Sequence, residues 1–291
     1  MKTIKWFRIV LRHLLVLLSL GLVGALLSGT LVRMAPGYGV DERELDPRWS
    51  AQSIEALRRK HADDGLFAFY LRYLSGAAHG DLGTSESLQR PISALLRERL
   101  PVTRNSILLG LGVAWATAVV VALAGFACRG WLYEASSVAL SGLFLSLPAA
   151  VVALLSVHLR APVFIAIGVV IFPRLFRFIR NLLVRTYEQP HVLAARARGL
   201  GSATILFRHV LPVTAPPLLA LLGVSFAMAF GAAIPIEALC DSPGLGQLAW
   251  QAALSRDLPL IVNLTLVVCL VTLVANSLAE LAAHAITEEN R

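Results

Sequence analysis

The chain alternates long apolar runs with short basic stretches and one long polar interlude. Apolar runs cover residues 9–32, 106–128, 136–157, 161–172, 214–236 and 258–286. Most approach the roughly 20 residues that a helix needs to cross a bilayer. The run at 161–172 is shorter, and Pro173 followed by Arg174, Arg177 and Arg180 interrupts it. Charge placement nevertheless argues that it crosses. Otherwise Arg174, Arg177, Arg180, Arg185, Arg196, Arg198 and Arg208 would share the outer side with Arg160, against the cytoplasmic bias of basic residues. The expected architecture is therefore all-α and integral to the membrane, with six transmembrane helices and both termini inside.

The first run follows Lys2, Lys5, Arg8 and Arg12, and no small-residue cleavage site closes it, so an uncleaved first span is expected. Residues 33–104 form the polar interlude, with turn-rich stretches at 36–39 and 80–83. They predict a small external subdomain containing helices at 53–60 and 66–74. A third, amphipathic helix at 91–100 is expected to stop at Pro101. The expected divisions are 1–34 (cytoplasmic tail and first span), 35–104 (external subdomain) and 105–291 (a five-helix core with a loop at 188–212).

Composition excludes a soluble enzyme. The 291 residues are 57% hydrophobic and 15% charged, whereas soluble domains carry about a quarter charged residues. The mean hydropathy is +0.71. The net charge of +8 lies between and beside the apolar runs, because residues 41–99 nearly balance their acids and bases. That placement suits anionic lipid and does not suggest nucleic acid. Cys128, Cys240 and Cys269 are odd in number and widely spaced, and give neither a disulfide framework nor a metal cage.

The lysines are Lys2, Lys5 and Lys60, none of them in a glycine-rich phosphate-binding loop, and the histidines are scattered. No catalytic residue, metal ligand or cofactor is expected. Within the apolar runs Glu280 is the exceptional ionisable group, and Asn263 and Asn276 read as interhelical hydrogen-bond formers. This scarcity counts against ion-coupled transport.

The loop after the fourth run has more structure than a lipid-facing basic loop requires. Residues 192–198 favour a helix, Gly199 can take a left-handed cap, Ser202 can cap a second helix and Pro212 should bar its continuation. Ala194, Ala195 and Ala197 would let another surface approach closely. Ile205, Leu206, Phe207 and Val210 would supply an apolar anchor. A protein partner fits this design, and adsorption to anionic headgroups is the competing reading.

At these residues the sequence resembles the membrane permeases of binding-protein-dependent ATP-driven (ABC) importers, in the dipeptide, oligopeptide and nickel branch. The family's loop motif runs E-A-A, three residues, G, nine residues, an apolar residue, one spacer and L-P. Leu193, Ala194 and Ala195 are followed at that spacing by Gly199, Leu211 and Pro212, with Leu193 in place of the glutamate and His209 in place of the apolar residue. The stretches 80–85 and 98–103 are similar to the branch before its second span. Glu237, Pro243, Gly244, Gly246, Arg256, Asp257 and Pro259 look like its later external loop. Val213 and the C-terminal residues depart from the branch.

The resemblance implies a multi-pass inner-membrane subunit that forms half of a translocation pathway and hydrolyses nothing itself. It implies as partners a second homologous permease, two cytoplasmic ATP-hydrolysing subunits and an external solute-binding protein. Ala194, Ala195, Arg196, Ala197, Gly199, Leu211 and Pro212 would couple to the ATPase. Peptides are the expected cargo, with nickel or another small solute as the alternative. Readings from other classes are an ion-coupled secondary transporter, a membrane scaffold or sensor, and an intramembrane enzyme.

Overall fold

The computed structural model describes residues 81–128 and 131–289, together with positions 15, 19, 23, 24, 26, 27, 30 and 76. The described positions between 15 and 30 are helical. The rest of the expected first span and the expected helices at 53–60 and 66–74 lie outside the described residues. The chain divides into two compact units, residues 1–99 with 249–270, and residues 100–248 with 271–291. Among the described residues the regular elements are all helices, and the one β-type pairing is an isolated bridge between Thr84 and Pro91.

Helix α1 runs from Ile92 to Cys128 and passes through Pro101. The expectation that Pro101 would end it is corrected. A proline removes one backbone hydrogen bond without forbidding helix on either side, and Arg97, whose carbonyl Pro101 leaves without its helical donor, is exposed and can be solvated. Beyond it, Ile107, Leu111, Ala114, Ala118 and Ala122 form a buried stripe at helical spacing, while Leu108, Leu109 and Val120 point outward. Such large aliphatic side chains on the outer face are stable against lipid, and small ones inside permit close helix packing.

The run at 136–157 does not form one straight span. It divides into α2 (Trp131–Ser146) and α3 (Ala149–His158), bent by 89° at Leu147-Pro148. Pro148 is extended, with φ −61° and ψ 144°. Proline also disfavours helical geometry in the residue before it, so the break is local chemistry.

Helix α4 (Val163–Tyr187) settles the short run differently from expectation: Pro173 lies inside it and does not interrupt. Ile167, Ile171, Leu175, Ile179 and Leu183 recur every fourth position and are buried. This stripe, packed against α2, α3 and the later long helix, holds the proline-containing segment helical. Gly110 and Gly168 set how closely α1 and α4 approach. A Cβ on Gly110 would stand 2.9 Å from the Phe164 carbonyl, and one on Gly168 would stand 3.2 Å from the Gly110 carbonyl.

After α5 (Pro190–Ala197) and α6 (Ser202–Ile205) comes a π-helical turn, Leu206–Val210, that leads without a break into α7 (Leu211–Leu239). Pro212 therefore opens α7 instead of stopping the preceding helix. Its missing N–H falls in the first turn, beside a widened turn that already departs from α-helical pairing. Trp115 Nε1 donates to Ser225 Oγ at 3.2 Å, a polar tie between α1 and α7. Helices α8 (Leu245–Leu254) and α9 (Leu258–Glu289) complete the order.

Among the described residues three helical stretches are long and apolar enough to cross a membrane: Ile92–Gly125, Ser202–Leu239 and Leu258–Ala283. The bent α2 and α3 pair makes a fourth if it counts as one span. The protein is thus a membrane protein whose described elements are all helices.

Candidate functional site

The loop after α4 is a two-part bracket. Pro190 starts α5 at a position where its absent N–H costs nothing. Arg198 caps the other end, and Gly199 turns left-handed at φ +75°. The Gly199 N–H donates to the Arg196 carbonyl at 2.8 Å, and the Leu200 N–H donates to the Ala195 carbonyl at 3.3 Å. These two bonds make a Schellman closure, which needs a residue free of Cβ strain at Gly199. The expected turn at Gly199 is present. Ser202 does not cap α6: Gly201 occupies that place and no side-chain cap bond forms.

Two further contacts brace the bracket. The Arg196 guanidinium lies 3.5 Å from the centre of the Tyr187 ring at the end of α4. His191 Nε2 donates to the His209 carbonyl at 3.2 Å, reaching from α5 to the π-helical turn. Val192 and Ala195 are buried beneath α5, whereas Ala194 and Ala197 stay on its open face. The expected apolar anchor also divides. Ile205 and Val210 pack inward, leaving Phe207 69% exposed, with Leu193 and Leu200 exposed at 50% and 39%. Leu211 is half-buried and Pro212 exposed at the head of α7.

The remaining motif residues gather around two buried acids. Glu237, near the end of α7, is fully buried. Its Oε2 accepts from Thr103 Oγ1 at 3.0 Å and from the Gly246 N–H at 2.7 Å. Thr103 Oγ1 in turn accepts from the Leu245 N–H at 2.7 Å. The carboxyl and the hydroxyl thereby satisfy the first amides of α8, which a helix leaves unpaired. Pro243 is exposed at the turn, while Gly244 and Gly246 lie against the acid. A Cβ on Gly246 would come within 2.8 Å of the Ala233 carbonyl and of Ile234 Cα, and one on Gly244 would collide with the Glu237 carboxyl.

Asp257 is the second buried acid, 1% exposed. Its Oδ2 accepts from Ser85 Oγ at 2.5 Å, from Ser87 Oγ at 2.7 Å and from the Ser87 N–H at 2.9 Å. Its Oδ1 accepts from the Leu260 N–H at 3.1 Å, capping α9. The loop it holds is closed by Gly83 at φ +74° and by Ser85 N–H donating to the Arg90 carbonyl at 3.0 Å. Asn263 Nδ2 adds a bond to the Leu82 carbonyl at 3.1 Å, so this residue fastens a loop. Arg256, beside the acid, is exposed with φ +54°.

Sequence reasoning thus found both acids without their hydroxyl partners. Thr103 and Ser85 lie in the stretches 98–103 and 80–85 that carry the resemblance, and Ser87 lies outside them. The hydroxyl in each stretch was the available signal, since a buried carboxylate requires donors.

Comparisons with known proteins give the family. Residues 106–288 match the family described as the binding-protein-dependent transport system inner membrane component. A protein of Brucella suis biovar 1 (strain 1330) named as a peptide permease is 28% identical over 94% of this chain and 96% of its own length. The oligopeptide transport system permease protein OppB of Salmonella typhimurium (strain LT2) is 28% identical, and that of Escherichia coli K12 is 27% identical. Each alignment with OppB covers 83% of this chain and 85% of the relative. The match spans α2 to α8 and most of α1 and α9, including the bracket and Glu237, and the chain belongs to the family of inner membrane components of binding-protein-dependent transport systems.

Proposed function

We propose that this chain is the permease subunit of an ATP-driven importer for peptides, forming one half of the translocation pathway. The observation that carries the reading is the bracket at residues 188–212. It exposes Leu193 on α5, Leu200 just past the Schellman closure that fixes the exit of that helix, and Phe207 in the π-helical turn that leads into α7. A force applied to α5 passes to α4 through the Arg196–Tyr187 stack and to α7 through continuous backbone. Such a lever suits a largely rigid-body switch between inward- and outward-facing states. Peptides are the cargo favoured by the names of the relatives.

In this reading six spans with both termini inside surround the path, and the bracket sits in a groove of a cytoplasmic ATPase. The chain has no nucleotide site of its own. Ala194 and Ala197 permit close approach, and the exposed apolar side chains fill the groove. A second permease, two ATPase subunits and an external binding protein complete the importer, and Asp257 and Glu237 stiffen the segments on the binding-protein side. The test is reconstitution with these partners in proteoliposomes. Uptake of a short peptide should require ATP and the binding protein, and the purified chain alone should move none. Uptake by the chain alone under an ion gradient, or no uptake with every partner present, overturns the proposal.

A further inference from the structure

One recess in the described structure is unexplained by the bracket or the buried acids. It has a volume of about 440 Å³, and its walls include Phe144, Pro148, Arg174, Met228 and Gly231. All of these belong to the unit formed by residues 100–248 and 271–291. Its depth rests on the six-span reading above, in which α7 crosses the membrane and Glu237 stands toward the external side. Gly231 lies six residues before Glu237, about 9 Å at the helical rise. In that reading the recess lies within the hydrocarbon thickness of roughly 30 Å.

Two features there are incompatible with lipid. The first is the break at Leu147-Pro148, where α2 stops and α3 starts after a turn of 89°. Non-helical backbone at membrane depth is tolerated only when protein covers it or when it lines a watery cavity. The second is Arg174, which is exposed and has no hydrogen-bond or ion-pair partner among the described residues. An arginine at such depth faces a bundle interior or a wet path. Arg177, Asn181 and Arg185 follow at helical spacing and continue a polar stripe along α4. Gly231 leaves its part of the wall open, since a Cβ there would meet nothing within 4 Å.

We propose that this recess is a water-filled station on the translocation path, in which Arg174 receives the free carboxylate of a passing peptide. Guanidinium is suited to carboxylate because its planar N–H groups match the two oxygens and its charge persists at low polarity. The volume falls within the usual range of small-ligand sites, about 300–1,000 Å³, enough for a chain end and too small for a folded partner. The carboxylate part of the inference rests on the peptide reading above; the wet, cationic character of the recess does not.

The test has two arms, both on the complete importer in proteoliposomes. In the first, Gly231→Cys is introduced with Cys128, Cys240 and Cys269 changed to Ser. It is treated with thiosulfonate reagents bearing either a sulfonate or a trimethylammonium group. The ratio of anionic to cationic labelling rates should fall about fivefold when Arg174→Gln is added, and should persist in Arg174→Lys. Met228→Cys replaces Gly231→Cys if the latter fails to insert. No reaction with either reagent, or a ratio indifferent to Arg174→Gln, overturns the proposal. In the second arm, uptake of trialanine and of its C-terminal amide is compared. Arg174→Gln should cut trialanine uptake about tenfold and leave the amide unchanged. Equal loss of both overturns the carboxylate assignment. Failure of the unsubstituted importer to move any peptide sinks the peptide reading instead, and the labelling arm still decides the nature of the recess.

Discussion

Asp257→Asn isolates the contribution of one buried charge to the loop at residues 83–92. The substitution preserves shape but leaves a single oxygen where the carboxylate has two. Three donors converge on Oδ2, from Ser85 and Ser87, and one on Oδ1, from Leu260. The best placement of the amide keeps its oxygen toward the serines and turns its NH2 toward the Leu260 N–H. The α9 cap is then lost, a cost of about 1 kcal/mol. The three remaining bonds lose charge assistance, and hydrogen bonds to charged groups contribute roughly twice as much as neutral ones. Smaller desolvation of the neutral side chain offsets part of this, leaving a net weakening of about 3 kcal/mol. Each 1.4 kcal/mol is tenfold, so local opening should become on the order of a hundred times more frequent. Hydrogen exchange of the protein in nanodiscs reads this directly at the amides of Ser87 and Leu260. Ser87→Ala, which removes one hydroxyl donor, should accelerate exchange by only about tenfold. Exchange at Ser87 unchanged in Asp257→Asn, with the protein inserted at normal abundance, would refute the assignment of Asp257 as the organising acid.

The bracket yields two further expectations. Gly199→Val should insert normally, because no atom lies within 4 Å of a Cβ there, yet φ +75° resists a β-branched residue by about 1–2 kcal/mol or more. Peptide uptake should fall while ATP hydrolysis continues, with Gly199→Asn retaining most uptake; full uptake by Gly199→Val contradicts the lever. Arg198 is exposed at the end of α5. Arg198→Cys in intact cells should react with membrane-permeant thiol reagents and resist impermeant ones, and the reverse pattern would place the bracket outside the cell.

Much of the loop after α4 is legible in the amino acids because its signals are local. Gly199 marks a left-handed turn through its lack of Cβ, and alanine and arginine favour the helix before it. Prolines divide the remaining expectations sharply. Pro148 breaks a span that reads as continuous, while Pro101, Pro173 and Pro212 sit in or at the head of helices they were expected to end or interrupt. The same ring gives opposite outcomes because its effect of a few kcal/mol competes with packing on neighbouring turns. At Pro173 the stripe from Ile167 to Leu183 prevails. At Pro148 the helices on either side separate by 89°.

Composition and spacing alone determined that this protein lies in a membrane, that its helices are separated by basic loops, and that a short capped helix follows the arginine-rich segment. These properties depend on hydrophobic transfer and on backbone preferences within a few residues. Only the tertiary structure joined Asp257 to Ser85 and Ser87, and Glu237 to Thr103, across more than a hundred residues of chain. It alone also placed Arg174 in a recess with Gly231. A buried carboxylate announces that it needs donors, but which distant hydroxyl supplies them is settled by how the helices pack.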